Sequence, residues 1–257
     1  MNYTLVSVIG CVALFLGMLL IAYLAFRLGR RRWQEADETP QSSGAITGAV
    51  FALLGLLIAF TFSGAFARFD ARRQLIVQEA NAIGTAYLRV DLLPAEAQAP
   101  LRESFREYAA TRVAQQQYVS DTPAARKDYA RTSGLQNEIW TQAVAASSGP
   151  EYQSARMLLI PALNEMIDIV TTRSTAIQTH PPLLVWIALS VIALACAGMA
   201  GYSASSAEQP KYFYFIVFAA IIAFTLYIIL DVEYPRYGLV RLDQVNQVLV
   251  DLAETMK

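Results

Sequence analysis

The chain has 257 residues, 55% of them hydrophobic and 16% charged, with a mean hydropathy of +0.37; a soluble domain carries about 25% charged residues, so this is the composition of a membrane protein. Twenty basic against 21 acidic side chains, with no basic block beyond one arginine cluster, leave no electrostatic footprint for nucleic acid. One histidine, His180, excludes a His-rich zinc site, and the two cysteines, Cys11 and Cys196, lie in apolar stretches where thiols act as small hydrophobes.

Four uncharged stretches, residues 2–26, 44–67, 181–207 and 212–230, are each long enough to cross a hydrocarbon core. The first lacks a basic n-region, has an apolar run longer than a signal sequence uses, and is followed by Arg27, Arg30, Arg31 and Arg32, so it reads as an uncleaved span. Nothing from Gly64 to Leu92 is a proline, so the second span is expected to run out of the membrane as one helix and to stop before Pro94. Residues 68–180 then carry 12 basic and 12 acidic side chains and read as a soluble helical module. Its further helices are expected over Ala95 to Tyr118, over Thr122 to Ala146, and from Pro150 onward with a kink at Pro161. Pro181-Pro182 opens the third span, and the turn from Ser203 to Pro210 pairs it with the fourth. After Tyr237 the tail is amphipathic, with Leu242, Val245, Val248, Leu249 and Leu252 on one face.

No Walker A, dinucleotide-binding or G-x-S-x-G pattern is present, and Glu165 with Asp168, three apart on one helical face, reads as an ion-pairing pair rather than catalytic carboxylates. No catalytic residue, cofactor or metal ligand is expected. In the second span Gly44, Gly48 and Ala52 fall four apart, a stripe that lets helix backbones approach closely. A pore would use the same helix differently, with Leu56 and Phe60 from several subunits forming an apolar constriction. Arg68, Arg72 and Arg73 sit where this helix leaves the membrane; they either snorkel to head groups and pair with Asp70, or ring a pore mouth and concentrate anions. Glu79 and Asn81 are vestibule candidates, with interhelical pairing of Glu79 to Arg89 or Arg173 as the alternative. Asp231, Glu233 and Arg236 read as a salt-bridge lock closing the fourth span, and His180 as an imidazole at the membrane surface.

The run Phe60-x-x-Ser63-x-x-x-x-Arg68-Phe69, with Ala71-Arg72 just after, resembles the second-span signature of bestrophins. Over nearly the whole chain, Glu79-Ala-Asn81-Ala-Ile-Gly84 through Asp91-Leu-Leu-Pro94, then Leu163-Asn164-Glu165, then Asp231-x-Glu233-x-Pro235-Arg236 resemble the bacterial bestrophin-like membrane-protein family. The resemblance implies an all-α, four-span subunit with the helical module between spans two and three, assembled as a homo-oligomer, usually a pentamer. It implies an ion channel whose neck comes from three successive turns of the second span, here Ala52, Leu56 and Phe60, with Ser63, Arg68, Phe69 and Arg72 at the mouth. Ala52 departs from the bulky residue usual in that family. The implied partners are the lipid bilayer, further copies of the chain and permeant ions, and the implied location is a bacterial inner membrane. The expected division is residues 1–67 and 181–232 as spans, 68–180 as the module and 233–257 as the tail. Arg27 to Arg32 favour a cytoplasmic first loop, but bestrophin topology puts the module in the cytoplasm instead. The rival from another class is a non-conducting scaffold or sensor whose module binds a ligand or partner.

Overall fold

The computed structural model describes residues 3–35, 44–116, 123–206, 212–235, 240 and 242–256, and among these every regular element is helical. Eight α-helices follow one another: α1 (Tyr3–Glu35), α2 (Gly44–Arg89), α3 (Ala95–Gln115), α4 (Pro123–Ala146), α5 (Gln153–Gln178), α6 (Leu183–Ser203), α7 (Tyr212–Glu233) and α8 (Asp243–Thr255). Four stretches, in α1, in α2, in the helical run ending at α6 and in α7, are long and apolar enough to cross a membrane. Helices suit that solvent because they satisfy every backbone polar group internally. The chain divides into two compact units, one of residues 1–67 with 180–240, the other of residues 68–179 with 241–257.

In the first unit, α1 packs against α6 and α7. Lipid tails are as apolar as these side chains, so close backbone approach rather than the hydrophobic effect holds such helices together. Gly201 lies against the backbone of Ala22, where a Cβ would overlap the Ala22 carbonyl, and a Cβ on Gly198 would stand 3.2 Å from the Ile21 side chain. Met18, Ala22, Leu54, Ala193, Cys196, Ala197, Ala219 and Ala223 form the buried centre, with Phe51 of α2 against Phe218 of α7 at 5.2 Å between ring centroids. Helix α1 runs on past the uncharged stretch that ends at residue 26 and carries its arginines on helical turns, as a good helix former allows.

The second unit has an apolar core of its own. Ile76, Ile83, Ala86 and Val90 from α2 and the 3-10 turn after it meet Leu101, Phe105 and Tyr108 of α3, Leu135 and Ile139 of α4, and Leu159, Leu163 and Met166 of α5. Each large aliphatic side chain so buried contributes about 1.5–3 kcal/mol. The 3-10 turn Val90–Leu92, closed by the Leu93 N–H on the Val90 carbonyl at 3.0 Å, ends α2 where Pro94 forbids its continuation. Helix α5 keeps its helical assignment through Pro161. Leu249 of α8 and Met256 just after it seal the core, while Leu242, Val245 and Leu252 pack at its edge. Val248 is a correction to the expected apolar face: it is exposed. The Met256 carbonyl accepts a hydrogen bond from Arg106 Nε at 2.7 Å, which ties the C-terminal helix to α3.

Candidate functional site

Helix α2 is the element to which most of the expected functional residues belong. Its membrane part buries Leu54 and Ala65 and half-buries Val50 and Ile58 within the first unit. At 100° per residue, Leu56 stands about 200° from Leu54, so Leu56 is on the reverse side of the helix. Leu56 is 52% and Phe60 66% exposed, and Ala52 and Ser63 on the same side are exposed as well. The four residues thus share one face turned away from their own subunit. Beside it, Gly48 and Gly55 have no neighbour within 4 Å of a Cβ built on either, in contrast to Gly201. Among the described residues their smallness serves no contact.

The arginines that follow behave differently from one another. Arg72 is 5% exposed and donates from Nε to the Ala176 carbonyl at 3.1 Å and from an Nη to the Thr179 carbonyl at 3.0 Å. The last carbonyls of a helix lack intrahelical donors, and here one guanidinium supplies them for α5. This corrects the expectation of Arg72 as an open pore-mouth cation. Arg68 and Phe69 are half-buried, and Arg73 lies over the Phe69 ring at 5.9 Å and 3.7 Å from Asp70. Asp70 also accepts from Gln74 Nε2 at 2.8 Å.

Glu79 is a second correction. A vestibule carboxylate has to be accessible, but Glu79 is fully buried and held by the guanidiniums of Arg112 and Arg173, one on each carboxylate oxygen. Arg112 also reaches Gln115, whose amide donates to Thr132 Oγ1 at 2.7 Å. One carboxylate on α2 therefore joins α3, α4 and α5 through polar contacts. Burial pulls the Arg112 guanidinium below its ordinary pKa and pushes the neighbouring Tyr108 phenol above its own. Asn81, two residues on from Glu79, is exposed. Of the two pairings weighed for Glu79, Arg173 is present, whereas Arg89 donates to the Leu158 carbonyl. Arg112 as a partner was invisible in the sequence, because nothing local marks a contact 33 residues away.

In the first unit His180 is half-buried, with Nδ1 3.0 Å from the fully buried Glu233 and its ring stacked on Tyr234 at 4.5 Å. The expectation there is a solvated or lipid-facing imidazole, and the Glu233 and Tyr234 contacts correct it. Asp231 accepts the Val240 N–H at 2.8 Å, and Arg236, the expected third member of the lock, lies outside the described residues. Glu165 and Asp168 are exposed and enter no ion pair among the described residues, contrary to the pairing expected of them. A groove of about 650 Å³ in the second unit is lined by Ser147, Ser148, Gln153, Arg156, Met157 and Pro161 at the α4–α5 turn.

A family model for the bestrophin-like domain matches residues 12–246. A crystallised single-residue variant of a bacterial bestrophin homolog from Klebsiella pneumoniae superposes with a TM-score of 0.70, at 13% identity, over 94% of this chain and 98% of its own. A second variant of that homolog gives 0.68 over 95% and 98%, also at 13% identity. A crystal structure described as a membrane protein gives 0.68 at 14% identity over 92% and 97%. No curated protein is significantly similar in sequence. At such identities the structural likeness speaks to the fold, and the family model to membership.

Proposed function

The chain belongs to the bestrophin-like family, and from that premise we propose that it is one subunit of a homo-oligomeric ion channel, most simply a pentamer, with α2 lining the pore. The observation that supports this reading is the face of α2 that carries Ala52, Leu56, Phe60 and Ser63: it turns from the subunit's own core, and the glycines beside it leave room for another helix. Around an axis, Leu56 and Phe60 form two apolar rings about 6 Å apart along each helix. Such a constriction opposes conduction by expelling water, since an entering ion loses hydration without gaining ligands. Ala52, one turn further, widens the neck, and Ser63 supplies hydroxyls at its other end. Asn81 remains the vestibule candidate on this helix, with Glu79 and Arg72 withdrawn into the fold. We place the module, residues 68–180, on the cytoplasmic side of a bacterial inner membrane, with residues 1–67 and 181–232 as the spans and 233–257 as the tail.

Native mass spectrometry of the intact protein in mild detergent tests the assembly, and only monomers or dimers would end the channel reading. For the pore, Leu56→Ala with Phe60→Ala should raise ion flux in liposomes while the oligomer persists. Flux at the empty-liposome level in an assembled oligomer would favour the scaffold or sensor reading instead. Sidedness is read by a cysteine at Gln116 in a background lacking Cys11 and Cys196: labelling from outside intact cells would reverse the orientation.

A further inference from the structure

Helix α1 has one face that no part of its own unit covers. Leu16, Leu20, Tyr23 and Leu24 are 45–57% exposed along it, and on the opposite side Met18, Ala22 and Phe26 are at most 4% exposed. The exposed line continues into Arg27 and Arg31, with Arg30 and Arg32 to either side, all four exposed. Along this helix, then, an apolar surface passes through an aromatic ring to a group of guanidiniums within about two turns, about 11 Å. None of the four arginines enters an ion pair among the described residues.

Two of them are nevertheless held in place. The Arg27 guanidinium lies over the Tyr23 ring at 5.8 Å and that of Arg30 over the Phe26 ring at 5.9 Å. A guanidinium over a ring keeps its N–H donors in its own plane, pointing away from the π face and available at their edges. Planar, fixed, cationic forks are what a phosphate's oxygens bind best. The apolar line beneath them would face acyl chains, and Tyr23 has the ring with a polar tip that favours the membrane interface.

We infer that the end of α1 around Arg27, Arg30 and Arg31 binds the headgroup phosphate of an anionic phospholipid, with Tyr23 and Leu24 against the glycerol and upper acyl region. The occupant is a lipid rather than free phosphate because the cationic group is continuous with an exposed apolar face. The charge is also local in its purpose: with the module in the cytoplasm these arginines stand on the opposite side, against the usual bias of positive loops, and a phosphate partner accounts for them there.

The test uses the full chain, delipidated in detergent and titrated with phosphatidylglycerol or phosphatidylcholine while native mass spectrometry counts adducts. Phosphatidylglycerol should bind in preference. Arg27→Gln with Arg31→Gln should weaken it roughly 25-fold, from the contribution of each arginine beside an anionic headgroup, and leave phosphatidylcholine unchanged. Lys127→Gln, an exposed cation of the other unit, should have no effect. Less than about a twofold change in the double variant overturns the proposal. So does displacement of the lipid by an equal concentration of inorganic phosphate, which would make the site one for the free anion. A fall in oligomer size with lipid binding intact would make this face a subunit contact and equally refute it. Because adducts are counted per chain, the result stands whether or not the protein conducts.

Discussion

Replacing Glu79 by glutamine removes the one carboxylate that Arg112 and Arg173 share, without changing the volume of the side chain. Glu79 is fully buried and both arginines are less than 10% exposed, so water cannot stand in for the lost charge. Breaking a buried pair by removing one partner costs about 3–5 kcal/mol, mostly as the penalty of the charge left behind. The glutamine carbonyl still accepts one hydrogen bond, which points to the lower end, about 3 kcal/mol. For a unit of between 100 and 150 residues each kcal/mol moves the midpoint by about 4 °C, giving a fall of about 12 °C. Trp140 packs at the edge of this core, so its fluorescence in intact protein carrying Trp33→Phe and Trp186→Phe follows the unit directly. Replacing all three charges together, Glu79→Met with Arg112→Met and Arg173→Met, should cost less than Glu79→Met alone, because no buried charge is then orphaned. A midpoint for Glu79→Gln within about 2 °C of the parent, or a triple variant as damaged as Glu79→Met, would refute the reasoning.

Gly201→Ala should lower the melting midpoint and the yield of monodisperse protein, since its Cβ would overlap the backbone of Ala22. Gly55→Ala has open space within the subunit and should leave the midpoint unchanged while shifting the oligomer distribution in native mass spectrometry. Burial raises the Tyr108 phenol above its ordinary value of 10.0, so the unfolded chain releases that proton first on going alkaline. The stability Tyr108 contributes is therefore complete below about pH 10 and is lost as pH rises through its raised folded value. Tyr108→Phe should remove this part of the alkaline loss, read as a difference in midpoint between parent and variant that narrows only above pH 10.

The spans were legible because an apolar run is a local property: α2 and α7 contain the stretches 44–67 and 212–230 whole, α1 and α6 take up most of 2–26 and 181–207, and the uninterrupted passage of α2 to Arg89 follows from the lack of a proline before Pro94. Family membership was carried by the motifs from Phe60 to Phe69 and from Glu79 to Pro94, and the family model agrees. What was not legible depends on direction and distance. Arg68, Arg72 and Arg73 are the same residue type within six positions, yet a step of 100° per residue puts Arg72 inward on the end of α5 and leaves Arg73 exposed. Val248 was assigned to the apolar face of α8 by its neighbours at 245, 249 and 252, but a helix 13 residues long docks through a narrower stripe than the sequence offers. The partners of Glu79 lie on α3 and α5, and no periodicity within α2 contains them.

The polar junction at Glu79 also sets a timetable for synthesis. Arg112 emerges 33 residues after Glu79 and Arg173 a further stretch later, 94 residues in all. At about 5–20 residues per second, the second guanidinium follows the carboxylate by roughly 5 to 20 seconds. Arg112 alone balances the charge of the carboxylate, so α2 and α3 can close over Glu79 as a neutral pair, and it is Arg173 that brings a surplus positive charge when α5 docks. The inward side chains of α2 in the first unit are uncharged and need no such partner, while the core of the second unit is completed only by Leu249 and Met256, the last of its residues to be made.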